Sequence, residues 1–263
     1  MKISVIMTTY NRPTAMERVL DGLRYQTRLP DEVIIADDGS GAGTAASIER
    51  FLKVSPFPLH HVWHADRGFR AAAIRNKAIR RSTGEYIVSL DGDCIPEKHF
   101  IEDHLKLARR GSFFQGKRIL VDREISKSFT FRDTDTFFKK IKLLLKPGIG
   151  NRHHLARMSF FPAVTFNSLS GIRSCNIGFF RDDIFAVNGF NEDFQGWGRE
   201  DSELAARFFN YGLQRKSHLF MAVCVHLWHA ENNRSRLVVN DDLLKKCIDS
   251  KAVSCFNGLT QKR

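Results

Sequence analysis

The chain lacks any Cys-x-x-Cys pair. Its five cysteines, Cys94, Cys175, Cys224, Cys247 and Cys255, are scattered, which speaks against a zinc cluster and for reduced thiols. It also lacks an apolar run near the roughly 20 residues that cross a bilayer. Met1-Lys2-Ile3-Ser4-Val5-Ile6-Met7 is too short for a signal-peptide core and has no small-residue cleavage site. The expected compartment is the cytosol. No Gly-x-Gly-x-x-Gly follows the first apolar run, and no complete Gly-x-x-x-x-Gly-Lys-Ser/Thr loop occurs, so a dinucleotide fold and a P-loop are disfavoured. There is no internal repeat, low-complexity tract, helix-turn-helix, zinc finger or RNA-binding aromatic signature.

What the chain does have is enough length and apolar content for one large folded domain. It has 263 residues, 43% of them hydrophobic and 27% charged. The formal net charge of +12 leaves three partner classes: a phosphorylated substrate, an anionic membrane surface or nucleic acid. Nucleic acid ranks last, because clustered carboxylates would repel its phosphates.

Those carboxylates lie at the ends of apolar runs. Residues 2–9 read as a strand ending in Thr8-Thr9-Tyr10-Asn11-Arg12-Pro13, before a helix with Met16, Val19, Leu20 and Leu23 at the 3.6 period. Residues 32–36 read as a strand ending in Asp37-Asp38-Gly39-Ser40, then a helix over 44–53 and a strand over 59–63. Arg67-Gly68-Phe69-Arg70 opens a basic, Ala-rich helix to Arg81, and Tyr86 to Leu90 is a strand ending in Asp91-Gly92-Asp93. Four strand–helix alternations predict a mostly parallel sheet with right-handed crossovers. Ligands of such sheets bind at the strands' carboxyl ends. Asp91 and Asp93 share a face if the backbone is extended, where a metal carrying a phosphorylated ligand would satisfy them. The plain alternative is a strand-ending turn. For Arg67, Arg70 and Arg75 the plain alternative to phosphate contact is a solvated helix face, and Arg67 is the favoured contact.

Residues 97–109 read as an amphipathic helix and 111–121 as another strand. Residues 122–170 form an irregular insertion rich in Phe, Lys and Arg. Within it, Phe137 to Lys146 interleaves apolar and cationic residues, as helices on anionic membranes do; packing on the core is the alternative. Cys175 to Arg181 reads as a strand, followed by a short helix. Asn188-Gly189-Phe190 then leads to Gly196-Trp197-Gly198-Arg199-Glu200-Asp201. The acid pair begins a helix over 204–211, where the helix dipole favours it. A strand over 220–225 leads to His226 and His229. Arg234 and Arg236 follow, and residues 241–255 read as a last helix.

The ordered motifs of the first hundred residues resemble family 2 glycosyltransferases of the GT-A fold. They are Val5 to Arg12, Asp37-Asp38-Gly39-Ser40, the Arg67-Gly68 segment with Asn76, and Asp91-Gly92-Asp93. The Asn-Gly-Phe and Gly-Trp-Gly-x-Glu-Asp string resembles the carboxyl region shared by β1,4-galactosyltransferases, polypeptide GalNAc-transferases and bacterial chondroitin polymerases. The resemblance implies an α/β, mostly parallel sheet flanked by helices in a single domain. Its nucleotide-sugar half would be 1–110 and its acceptor and catalytic half 111–263.

The resemblance also implies roles. Thr9, Tyr10, Arg12 and Asp38 (or Asp37) would hold the uridine of a UDP-sugar, with Arg67 and Asn76 near its phosphates. Asp91 would face ribose or sugar, and Asp93 would bind Mn²⁺ or Mg²⁺ with a histidine, His229 matching better than His226. Asp201 would be the catalytic base, Glu200 would hold the acceptor, and Trp197 would be a platform for a sugar face. Arg199 and Ser202 stand where galactosyltransferases have glycine and a third acid, which leaves the donor sugar open. The implied activity is inverting transfer to a glycan or glycolipid in bacterial envelope polysaccharide or lipopolysaccharide assembly, at the inner membrane face. A nucleotide-sugar-forming nucleotidyltransferase is the other enzymatic reading. It would need a Gly-rich triphosphate loop and a Lys after the first strand, which Thr8 to Arg12 do not supply.

Overall fold

The computed structural model describes residues 1–231 and 233–260. Four parallel strands form its first half: β1 (Ile3–Thr9), β2 (Glu32–Asp37), β3 (Leu59–Trp63) and β4 (Tyr86–Asp91). They alternate with α1 (Pro13–Arg24), α2 (Ala42–Val54) and α3 (Ala71–Arg81). Their apolar residues divide by parity between two cores. Val5, Met7, Val33, Ile35, Val88 and Leu90 pack with Met16, Val19, Leu20 and Leu23 of α1. Ile6, Ile34 and Ile87 pack on the opposite face with Ile74, Ala78 and Ile79 of α3.

The second half extends this sheet and adds another. After β5 (Cys94–Pro96) and α4 (Phe100–Leu107) come β6 (Ser112–Gln115), β7 (Lys117–Val121), α5 (Arg123–Ser126), α6 (Phe137–Leu145), β8 (Ile149–Gly150) and β9 (Val164–Phe166). Then follow β10 (Asn176–Phe180), α7 (Arg181–Ala186), α8 (Glu200–Asn210), β11 (Gln214–Ser217), β12 (Val223–His226) and α9 (Leu237–Ser250). The large sheet runs β3-β2-β1-β4-β10-β6-β11-β9, and the small one β5-β12-β7-β8. β10 is antiparallel to both β4 and β6.

Residues 111–121 are not one strand. The chain breaks at Gly116, sending β6 into the large sheet and β7 into the small one. A Cβ at Gly116 would come 2.3 Å from the Asn176 amide. That amide donates to Lys117 O and Ala222 O (3.0 and 2.9 Å), tying the sheets together at the break. The helix expected from Arg67 begins at Ala71, and the last helix spans 237–250 rather than 241–255.

Candidate active site

The carboxyl ends of β1, β2 and β4 open into a cleft of about 740 Å³. Gly92 sets one wall: its N–H donates to Thr8 O at 2.7 Å, and a Cβ there would lie 2.5 Å from that oxygen. The tight turn sends the two flanking carboxylates to different partners. Asp91 Oδ1 accepts from the Thr8 hydroxyl (2.9 Å) and from Arg75 Nη2 (3.1 Å). Asp93 Oδ2 accepts from Arg12 Nη1 at 2.6 Å. Residue 227 ties this turn to the end of β12, its N–H donating to Asp93 O at 2.9 Å.

That tie brings the histidines in. His226 Nε2 lies 3.7 Å from Asp93 Oδ1, and His229 Nε2 lies 3.7 Å from Asp93 Oδ2. Ligand atoms of the three residues all fall within 4.8 Å of one another. One carboxylate and two imidazoles form a mixed oxygen–nitrogen donor set that fits Mn²⁺ better than the oxygen-seeking Mg²⁺. Burial lowers the His226 pKa against the pull of Asp93, which favours the neutral imidazole that a metal requires. Both histidines therefore stand at the position for which His229 was the better match.

The other expected nucleotide contacts separate. Thr9, Tyr10, Arg12 and Asp38 line the cleft. Asp38 is held by His64 Nε2 (2.5 Å) and by the Arg70 backbone N–H (2.8 Å). Asp37 is fully buried and spent on structure. Ser40 N donates to it at 2.8 Å and His61 Nε2 sits 3.1 Å away. Burial would raise its pKa, but those hydrogen bonds outweigh it and hold the carboxyl below its ordinary value. Asn76 is also fully buried and does not line the cleft. Its amide brackets Phe190, donating to O (2.7 Å) and accepting from N (2.8 Å), which anchors the 188–192 turn on α3. Arg67 is exposed and outside the lining; Arg75 is the α3 cation that enters.

Arg75 is buried between two acids. It reaches Asp91 on one side and Glu200 Oε1 on the other (3.3 Å), and its guanidinium carbon lies 5.4 Å from the Phe190 ring centre. Glu200 and Asp201 open α8 behind a run of left-handed backbone: Gly196 (φ +72°), Gly198 (+105°) and Arg199 (+79°). Glycine bears such φ at little cost, while Arg199 is strained there. Asn240 of α9 fixes the loop, donating to Gln195 O (3.2 Å) and Gly198 O (2.9 Å). Trp197 lines the cleft, with Arg234 over its ring at 5.0 Å.

Asp201 accepts from the backbone N–H groups of Ser174 (3.3 Å) and Ser202 (2.8 Å). Burial raises its pKa, and Arg75 with those two N–H groups pulls it back only in part. Burial and the neighbouring Asp201 push Glu200 up as well, against Arg75. Acids poised this way are suited to taking up a proton near neutral pH.

The mostly parallel sheet flanked by helices is the GT-A fold of the glycosyltransferases that are its structural neighbours. The sequence matches Glycosyl transferase family 2 over residues 4–165 and the N-terminal domain of galactosyltransferase over 158–230. The chain belongs to glycosyl transferase family 2. It is similar to chondroitin synthase of Escherichia coli, 24% identical over 82% of this chain and 33% of that one. It is similar to validoxylamine A glucosyltransferase of Streptomyces hygroscopicus subsp. limoneus, 28% identical over 80% of this chain and 48% of that one. The chain thus spans about a third to a half of these relatives. Among solved structures, S. aureus TarS 1-349 in complex with UDP-GlcNAc superposes with a TM-score of 0.65 at 18% identity, covering 93% of this chain and 65% of that one. The mannosyltransferase PcManGT from Pyrobaculum calidifontis, in complex with GDP-Man and Mn²⁺, superposes with a TM-score of 0.56 at 22% identity, covering 86% and 56%.

Proposed function

We propose that this chain is an inverting, metal-dependent glycosyltransferase. It moves a hexose or N-acetylhexosamine from a UDP-sugar to a hydroxyl of a glycan or glycolipid, in bacterial surface polysaccharide or lipopolysaccharide assembly. The observation that carries the reading is one cleft lined by both a carboxylate–imidazole cluster and a buried acid pair, with Arg75 between Asp91 and Glu200. The nucleotide-sugars bound to TarS and PcManGT support the donor class.

In this reading Thr9, Tyr10 and Asp38 receive the uridine, and Asp91 faces the ribose or the sugar. Asp93, His226 and His229 would hold a divalent cation, which when bound neutralises charge on the departing diphosphate. Trp197 offers an apolar face to a sugar ring, and Glu200 orients the acceptor. Asp201 takes the proton from the acceptor hydroxyl as that oxygen forms its bond to the anomeric carbon. The bond from that carbon to the diphosphate oxygen breaks, its electron pair leaves with UDP, and the configuration inverts.

Calorimetric titration of UDP with and without Mn²⁺ tests the donor side. UDP should bind at least about tenfold more tightly with Mn²⁺, and His226→Ala should remove that gain. Equal affinity with and without the metal would refute metal dependence.

The same reading sets the enzyme against a membrane. On α6, Phe137, Phe138 and Leu145 are 72, 80 and 80% exposed, while Lys140 turns inward to Glu97 at 2.5 Å. An apolar ridge facing outward beside Lys139, Lys142 and Lys146 fits an anionic bilayer surface. No helix among the described residues is long and apolar enough to cross a membrane. The chain should float with phosphatidylglycerol vesicles, and Phe138→Ser with Leu145→Ser should abolish this; failure of the wild type to float at moderate salt would remove the membrane role.

A further inference from the structure

The cations of the cleft are not equally engaged. Arg12 is paired with Asp93 and Arg75 with Asp91 and Glu200; at the rim Arg234, over Trp197, is paired with Glu231. Arg118 and Arg173 line the same cleft, yet neither forms a salt bridge among the described residues; the Arg173 charge reaches Asp201 only at longer range, favouring its ionised form. Among the described residues the Arg118 guanidinium donates to the Cys175 thiol at 3.9 Å, and its charge also reaches His226. Arg173 is fixed at its root: Gln115 accepts from its N–H and donates to its carbonyl, both at 3.0 Å. The two arginines flank Ser174 and Cys175, and the Ser174 N–H is one of the two backbone donors to Asp201. Two guanidiniums that form no salt bridge among the described residues therefore stand on the wall of the proposed base.

We propose that Arg173 and Arg118 bind a fixed negative charge on the acceptor, so that the acceptor is an anionic glycan bearing a carboxylate or a phosphate next to the reacting hydroxyl. This rests on the reading of Asp201 as the base. Guanidinium forms paired, charge-assisted hydrogen bonds with either anion. A neutral sugar would leave both guanidiniums without a salt-bridge partner as it displaces water. The donor's diphosphate has its own cationic surroundings at Arg12 and at the Asp93–His226–His229 cluster.

The test uses the full chain loaded with UDP and Mn²⁺. Methyl β-D-glucuronide, methyl β-D-glucoside 6-phosphate and methyl β-D-glucoside are titrated in turn. The wild type should prefer at least one charged probe over the neutral one by about tenfold; which one wins names the anion. Arg173→Ala and Arg118→Ala should remove the preference, Arg173→Lys should keep part of it, and the affinity for UDP should stay within about twofold. Retained UDP binding also shows that each variant is folded. No preference in the wild type overturns the proposal while leaving the glycosyltransferase reading intact. A loss of UDP affinity with the preference unchanged also overturns it, by assigning the arginines to the diphosphate. Absence of UDP binding in the wild type would sink the reading beneath it, and the proposal with it.

Discussion

The two walls of the cleft solve opposite electrostatic problems. On the strand-end wall each acid has a close partner: Asp38 has His64, Asp91 has Arg75 and Thr8, and Asp93 has Arg12. On the α8 wall Glu200 and Asp201 are buried side by side, and burial outweighs the Arg75 and Arg173 charges and the few N–H groups that offset theirs. Paired acids suit holding a polar ligand; under-compensated acids suit accepting a proton. The difference teaches that carboxylates close in space can be given different work by their neighbours alone. Arg75 is the residue both walls share.

Removing Arg75 should therefore have the larger effect. Burial raises the Asp201 pKa, while Arg75, the N–H groups of Ser174 and Ser202, and Arg173 favour its charged form. Without the Arg75 charge the Asp201 pKa rises further. The acid limb of kcat/KM should then move to higher pH in Arg75→Met, so that the loss is greater at pH 6 than at pH 9. Arg75→Lys keeps the charge and should leave the limb nearer its original place. An unmoved limb in Arg75→Met would separate the two walls. At the other extreme, Arg67→Ala removes an exposed cation outside the cleft. Turnover and UDP affinity should stay within about twofold, and a larger fall would return Arg67 to the phosphates.

The strand-end wall was legible because its parts are local. Four apolar runs end in polar residues, and a parallel sheet gathers those ends at one edge. The division of labour within Asp91-Gly92-Asp93 came from the family resemblance and not from the spacing, which puts both carboxylates on one face of an extended strand. Asp93 meets His226 and His229 only because β12 pairs with β5, about 130 residues apart in the chain. The burial of Arg75 had a usable signal. Ala71, Ala72, Ala78 and Ile79 lie one turn from it on the buried face of α3, so helical periodicity puts Arg75 with the core and Arg67 ahead of the helix. β11 had none: Gln214-Arg215-Lys216-Ser217 is polar, and its pairing with β6 and β9 makes it a strand. The break at Gly116 is likewise set by Asn176, far away in sequence.

The central claim is that one cleft keeps donor binding and proton removal on separate residues. Asp201→Asn tests it most directly, since the change keeps the shape and removes the base. Transfer should fall by about a hundredfold or more, while UDP binding with Mn²⁺ stays near that of the wild type. A variant that retained most of its turnover would contradict the account, and so would one that lost UDP affinity in step with its activity.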